Sequence, residues 1–109
     1  MKISATRDNL LFGVSAVQKA VSSRNTLPIL SCIKIEAKGS MLYFSATDLE
    51  IGIECHVPAD VTYEGSAVVP ARHFSEIVRK LPDTKIVLSM IDENNLEIQY
   101  ENSQLNLLT

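Results

Sequence analysis

With 109 residues, 46% of them hydrophobic, the chain has material for one packed core and not for two domains. Its net charge of −3 excludes a protein that wraps a polyanion over its whole surface, so any nucleic-acid contact must sit on a local basic face. No run approaches the ~20 apolar residues that span a bilayer, and no basic segment followed by an apolar one opens the chain, so the sequence reads as cytoplasmic with no membrane partner.

Residues 2–5 read as an opening strand with Ile3 and Ala5 on one side. Thr6 and Asp8 then supply a helix N-cap and a first-turn acid. Leu10, Val14, Val17 and Val21, flanked by Leu11, recur at helical spacing and form the apolar stripe of an amphipathic helix. Its opposite face holds Phe12, Ser15, Lys19, Ser22 and Ser23. Arg24 and Asn25 end the helix, and Leu27 is pushed into extended conformation by Pro28.

Three alternating apolar runs follow and predict an antiparallel meander. Ile33, Ile35 and Ala37 alternate with Lys34, Glu36 and Lys38 before a turn at Gly39 and Ser40. Leu42, Phe44 and Ala46 repeat the alternation, and Thr47 and Asp48 turn the chain again. Leu49, Ile51, Ile53, Cys55 and Val57 are expected to face inward against outward Glu50, Glu54 and His56. Residues 58–65 show no clean period and read as a connecting loop.

Residues 66–69 read as a strand, Pro70 as a first helical position, and Phe74, Ile77, Val78 and Leu81 as the next apolar stripe before Pro82 stops the helix. The outer face of this helix carries Arg72, His73, Glu76, Arg79 and Lys80. Three further strands, over 85–91, 96–100 and 104–108, complete the chain. The fold class is therefore α+β: a β-α-β-β-β unit used twice, with two helices on one layer backed by antiparallel sheets. The outward helix residues then form one surface on which Lys19, Arg24, Arg72, Arg79 and Lys80 stand against Glu76.

Other chemistry finds little support. Cys32 and Cys55 lack a paired spacing and read as buried thiols, and no metal, cofactor or catalytic residue is expected. Asp48 and Glu50, two apart on a strand, share a wet face without a pocket to shift either carboxyl. A small hydrolase using Asp48, Glu50 and His56 is one alternative, and a stand-alone protein-interaction module without a DNA role is the other.

Leu27-Pro28-Ile29-Leu30, Ala46-Thr47-Asp48-Leu49-Glu50, Val69-Pro70-Ala71-Arg72 and Glu76-Ile77-Val78-Arg79-Lys80-Leu81-Pro82 resemble, in order and spacing, the N-terminal domain of the bacterial DNA polymerase III beta subunit, the sliding clamp. The resemblance covers residues 1–109. It implies a non-enzymatic processivity factor whose full chain carries three such domains, of which this is the first, and pairs into a homodimeric ring around duplex DNA. Helices line the hole, and polymerase and clamp loader bind through later domains. By resemblance Arg24 matches a DNA-contacting position, and Arg72, Arg79 and Lys80 match basic positions of the second helix. The family often has a basic residue where this chain has His73, and others near Asn102 and Gln104.

Residues 102–109 carry no charge, so the last strand is a poor free edge. Leu105 and Leu107 share one face and match the apolar positions through which the family's first domain meets the other protomer. Arg72, His73 and Glu76 are expected to flank that joint.

Overall fold

The computed structural model describes residues 1–21, 31–47 and 51–108. Among these, eleven elements follow in the order β1 (Lys2–Thr6), α1 (Arg7–Gln18), β2 (Cys32–Lys38), β3 (Met41–Thr47), β4 (Gly52–Pro58), β5 (Asp60–Tyr63), β6 (Gly65–Pro70), α2 (Ala71–Lys80), β7 (Lys85–Asp92), β8 (Asn95–Tyr100) and β9 (Ser103–Leu108). The strands form a five-stranded sheet, β5-β1-β7-β8-β9, and a four-stranded sheet, β4-β3-β2-β6, and every pairing is antiparallel.

The expected β-α-β-β-β duplication is present, and its first strands are exchanged. β1 joins the sheet built by the second half, and β6 joins the sheet built by the first. Equivalent positions carry equivalent burial: Leu10, Val14 and Val17 of α1 correspond to Phe74, Val78 and Leu81 in and after α2, and all six are buried. Leu42 pairs with Val57 as Leu96 pairs with Leu107, and Phe44 pairs with Cys55 as Ile98 pairs with Leu105.

Local chemistry accounts for the boundaries. The Thr6 hydroxyl accepts from the Asn9 amide at 3.2 Å and caps α1, as the sequence predicts. Pro70 is the N-cap of α2 and not its first helical residue, with extended backbone at ψ 122° and no side-chain cap bond. Gly39 turns the β2–β3 hairpin at φ +64°, a conformation glycine adopts without steric cost. Strand alternation puts Ile33, Ile35, Ala37, Leu42, Phe44, Ile86, Leu88, Leu96 and Ile98 into one core shared by both halves.

Several expectations are corrected. The predicted loop over 58–65 contains β5, which pairs with β1 through Ile3 and Val61. A strand of four residues held mainly by backbone pairing has too few inward side chains to show a period. Ile51, expected inward, is exposed because it precedes β4, which begins at Gly52. Both cysteines are half-buried and not enclosed, Cys32 at the start of β2 and Cys55 on the edge strand β4. The expected end of the first helix at Arg24 and Asn25 lies outside the described residues, as do Ser22, Ser23, Leu27, Pro28, Asp48, Leu49 and Glu50. Regular α-helix ends at Gln18, and the next amides, of Ala20 and Val21, donate three residues back to Val17 and Gln18.

The helices lie side by side, α1 closely against β4 and β3, and α2 against β2 and β6. One missing side chain sets the first of these approaches. A Cβ at Gly13 would stand 2.3 Å from Cε1 of the Phe44 ring, nearer than two carbon atoms can come without displacement. At the equivalent place α2 has Ile77, which is half-buried. Gly13→Ala should therefore destabilise the chain by about 1–3 kcal/mol in urea denaturation, outweighing alanine's helix propensity. Phe44→Leu in the same chain should recover part of that loss. A Gly13→Ala chain as stable as the parent would show that α1 lifts from the sheet without cost.

Candidate nucleic-acid interface

Burying the apolar stripes leaves the opposite sides of both helices as one surface. On α2, Arg72, His73, Glu76, Arg79 and Lys80 are all exposed. On α1, Phe12 is 65% exposed, Ser15 is half-buried, and Lys19 stands exposed at the C-cap. Arg79 and Lys80 occupy the last turn of α2, so both helices end in cations that complement the negative end of the helix dipole. Arg24, the remaining predicted contact, lies outside the described residues.

The Arg72 Nε donates to Glu76 Oε1 at 3.4 Å across one helical turn. Its side chain is 88% exposed, and exposed pairs of this spacing contribute only about 0.3–0.5 kcal/mol. So weak a pair leaves the guanidinium able to exchange a carboxylate for a phosphate.

Two cross-links fix the helices relative to each other. The buried Ser75 hydroxyl donates to Gln18 Oε1 at 3.0 Å. Arg7, at the first turn of α1, donates through a terminal guanidinium nitrogen to the Arg79 carbonyl at 3.2 Å. The start of α1 thus meets the end of α2, and a cation satisfies a carbonyl that the helix itself leaves without a donor. Sequence reasoning passed over Arg7, because its partner is a backbone carbonyl far along the chain. The only available signal was an arginine directly after the N-cap.

Of the carboxylate grouping, the described residues hold His56 alone. Asp48 and Glu50 lie outside the described residues, while His56 is exposed on the outer face of the four-stranded sheet, its ring 5.6 Å from that of Tyr43. Among the described residues no three acidic, histidine or cysteine side chains cluster as metal ligands, and no helix is long and apolar enough to cross a membrane.

β9 forms one edge of the five-stranded sheet and pairs with β8 alone among the described residues. Leu105 and Leu107 share a face, as expected, but that face looks into the domain, since their partners Ile98 and Leu96 are fully buried. Leu107 is only 9% exposed and packs with this chain's own core. Leu105 is 37% exposed. Its counterpart Cys55 lies on the strand that α1 packs against, whereas the close packing of α2 is on the other sheet.

A duplicated β-α-β-β-β domain with antiparallel sheets behind a paired-helix face is the architecture of DNA-clamp domains, and the comparisons agree. Residues 1–109 match the family described as DNA polymerase III beta subunit, N-terminal domain, and the chain belongs to that family. It is 43% identical over 109 residues to the beta sliding clamp of Caulobacter vibrioides, covering 98% of this chain and 29% of that protein. With the beta sliding clamp of Bacillus subtilis strain 168 it shares 39% identity, covering 98% of this chain and 30% of the relative. The crystal structure of the DNA polymerase sliding clamp from Bacillus subtilis superimposes with a TM-score of 0.94 at 36% identity, covering 99% of this chain and 30% of that one. The chain thus spans about three-tenths of the length of the relatives it matches.

The two leucines of β9 should separate on substitution. Leu107→Lys buries an unpaired charge and should cost more than about 2 kcal/mol by denaturant titration, while Leu105→Lys should stay within about 1 kcal/mol of the parent. Equal losses at the two positions would contradict the assigned burial.

Proposed function

We propose that this chain is the first of three clamp domains of a longer DNA sliding clamp, a non-enzymatic, cytoplasmic processivity factor. In this reading a homodimeric ring of such chains encircles duplex DNA and tethers the replicative polymerase, which engages later domains, as does the clamp loader. The observation that carries it is the solvent face of α2, where Arg72, Arg79 and Lys80 stand exposed against one acid in a chain of net charge −3. Lys19 extends that face, Arg24 is assigned to it from the sequence alone, and in this reading all five cations meet phosphates without reading bases.

Topological enclosure needs no tight grip, and contacts that are few, weak and blind to sequence suit a ring that must move along the duplex. The ring joint is assigned to the free edge of β9, which offers backbone groups and Leu105 to the second protomer. Arg72, His73 and Glu76 flank it, with neutral Asn102 and Gln104 leaving that joint short of ion pairs.

The test is salt-dependent binding of duplex DNA of unrelated sequences to the 109-residue chain. Binding should be weak, with log affinity falling against log salt at a slope no steeper than about −4.5 for five phosphate contacts. Replacing Arg79 or Arg24 by Ala should lower low-salt affinity equally for every sequence and reduce the slope by about 1 each. Sequence preference, or indifference to salt, would remove the proposed role of this face.

A further inference from the structure

The internal duplication has one unmatched part. β5 lies along the free edge of β1 and is held against the β2–β3 turn: the Ala59 amide donates to the Ser40 carbonyl at 3.0 Å, and the Gly39 amide donates to the Glu64 carboxylate at 2.8 Å. The equivalent of β1 is β6, and the equivalent of the β2–β3 turn is the β7–β8 turn at Glu93 and Asn94. Among the described residues β6 pairs with β2 alone. Beside β6, where a counterpart of β5 belongs, there is a groove of about 560 Å³ whose walls include Ser66, Val68 and Pro70 on one side and Met90, Asp92 and Asn94 on the other.

The route into this groove also exists. β5 follows β4 directly, so its counterpart follows β9. Pro58, the last residue of β4, pairs with Met41, and Leu108, the last of β9, pairs with Asn95, which places both strand ends beside the corresponding hairpin turn. A second groove of about 420 Å³, bounded by Asp92, Asn94, Asn95 and Leu108, joins the end of β9 to the first groove through their common wall at Asp92 and Asn94.

From these placements we infer that the groove beside β6 is the docking site for the segment that continues the chain after β9, which enters as a tenth strand at positions 110–113, antiparallel to β6. The inference rests on the reading of this chain as the first domain of a longer protein. Position 111 then takes the place of Val61, which packs half-buried against the core. Position 111 thereby stands opposite Ala67, as Val61 stands opposite Ile3, and an apolar side chain there turns to the core side, toward half-buried Met90. The segment covers the remaining inner edge of the four-stranded sheet, a position where unpaired backbone groups template association.

The experiment compares two forms of the natural gene product, one ending at residue 109 and one at residue 116, by amide hydrogen exchange. The longer form should slow exchange in the β6 segment about tenfold or more, independently of protein concentration. Replacing the residue at position 111 by Lys should abolish that protection while the exchange of β2 and β3 stays unchanged. Equal exchange of β6 in both forms overturns the inference. Protection that grows with concentration also overturns it, since a second copy is then the occupant. A gene product that itself ends at 109 would overturn this inference together with the multidomain reading, whereas a longer product with unprotected β6 would overturn the docking alone.

Discussion

The absent side chain of Gly13 sets how closely α1 can approach the sheet beneath it. With no Cβ to strike the Phe44 ring, α1 settles closely on β3 and β4. Position along the sheet then fixes where Gln18 can meet Ser75, and where Arg7 can meet the Arg79 carbonyl. Those two bonds hold α2 beside α1, so the solvent sides of the helices become a single surface. The second half repeats the plan with Ile77 where the first has Gly13. That bulk accompanies the different seat of α2 and the partial exposure of Leu105.

Much of the fold was legible because burial here is strongly periodic. The alternations in β2, β3, β7 and β8, and the stripes Leu10-Val14-Val17 and Phe74-Val78-Leu81, name the core almost residue by residue. Illegible parts were those held by the backbone. β5 is stabilised by pairing with β1, and a single inward valine cannot signal that. Ile51 was misassigned because counting alternate residues back through a turn assumes that the strand continues through it. Ala20, fully buried just past α1, falls within the predicted helix but off the stripe Leu10, Val14, Val17 and Val21 that was read from it.

The cationic face was legible for a different reason. After Asp8 the first helix carries no acid on its outer side, and the second carries one, so the sign of the surface needs no coordinates. What sequence periodicity could not assign is which side of a strand faces home. Leu105 and Leu107 share a face by spacing alone, yet only the pairing of Leu107 with fully buried Leu96 reveals that the face is this domain's own. The clamp of Arg7 on α2 was equally hidden, since one partner carries no side-chain signal.

The exchange of first strands between the halves also bears on how the domain is made. β1 is synthesised first, but its neighbours β5 and β7 appear only after the whole of the first meander has been translated. Neither sheet is complete from one half alone, because the first also waits for β6. A nascent chain therefore cannot bank a finished half-domain, and its earliest strand stays an open edge until the last third emerges. Contacts of such long sequence separation make folding slow and strongly cooperative.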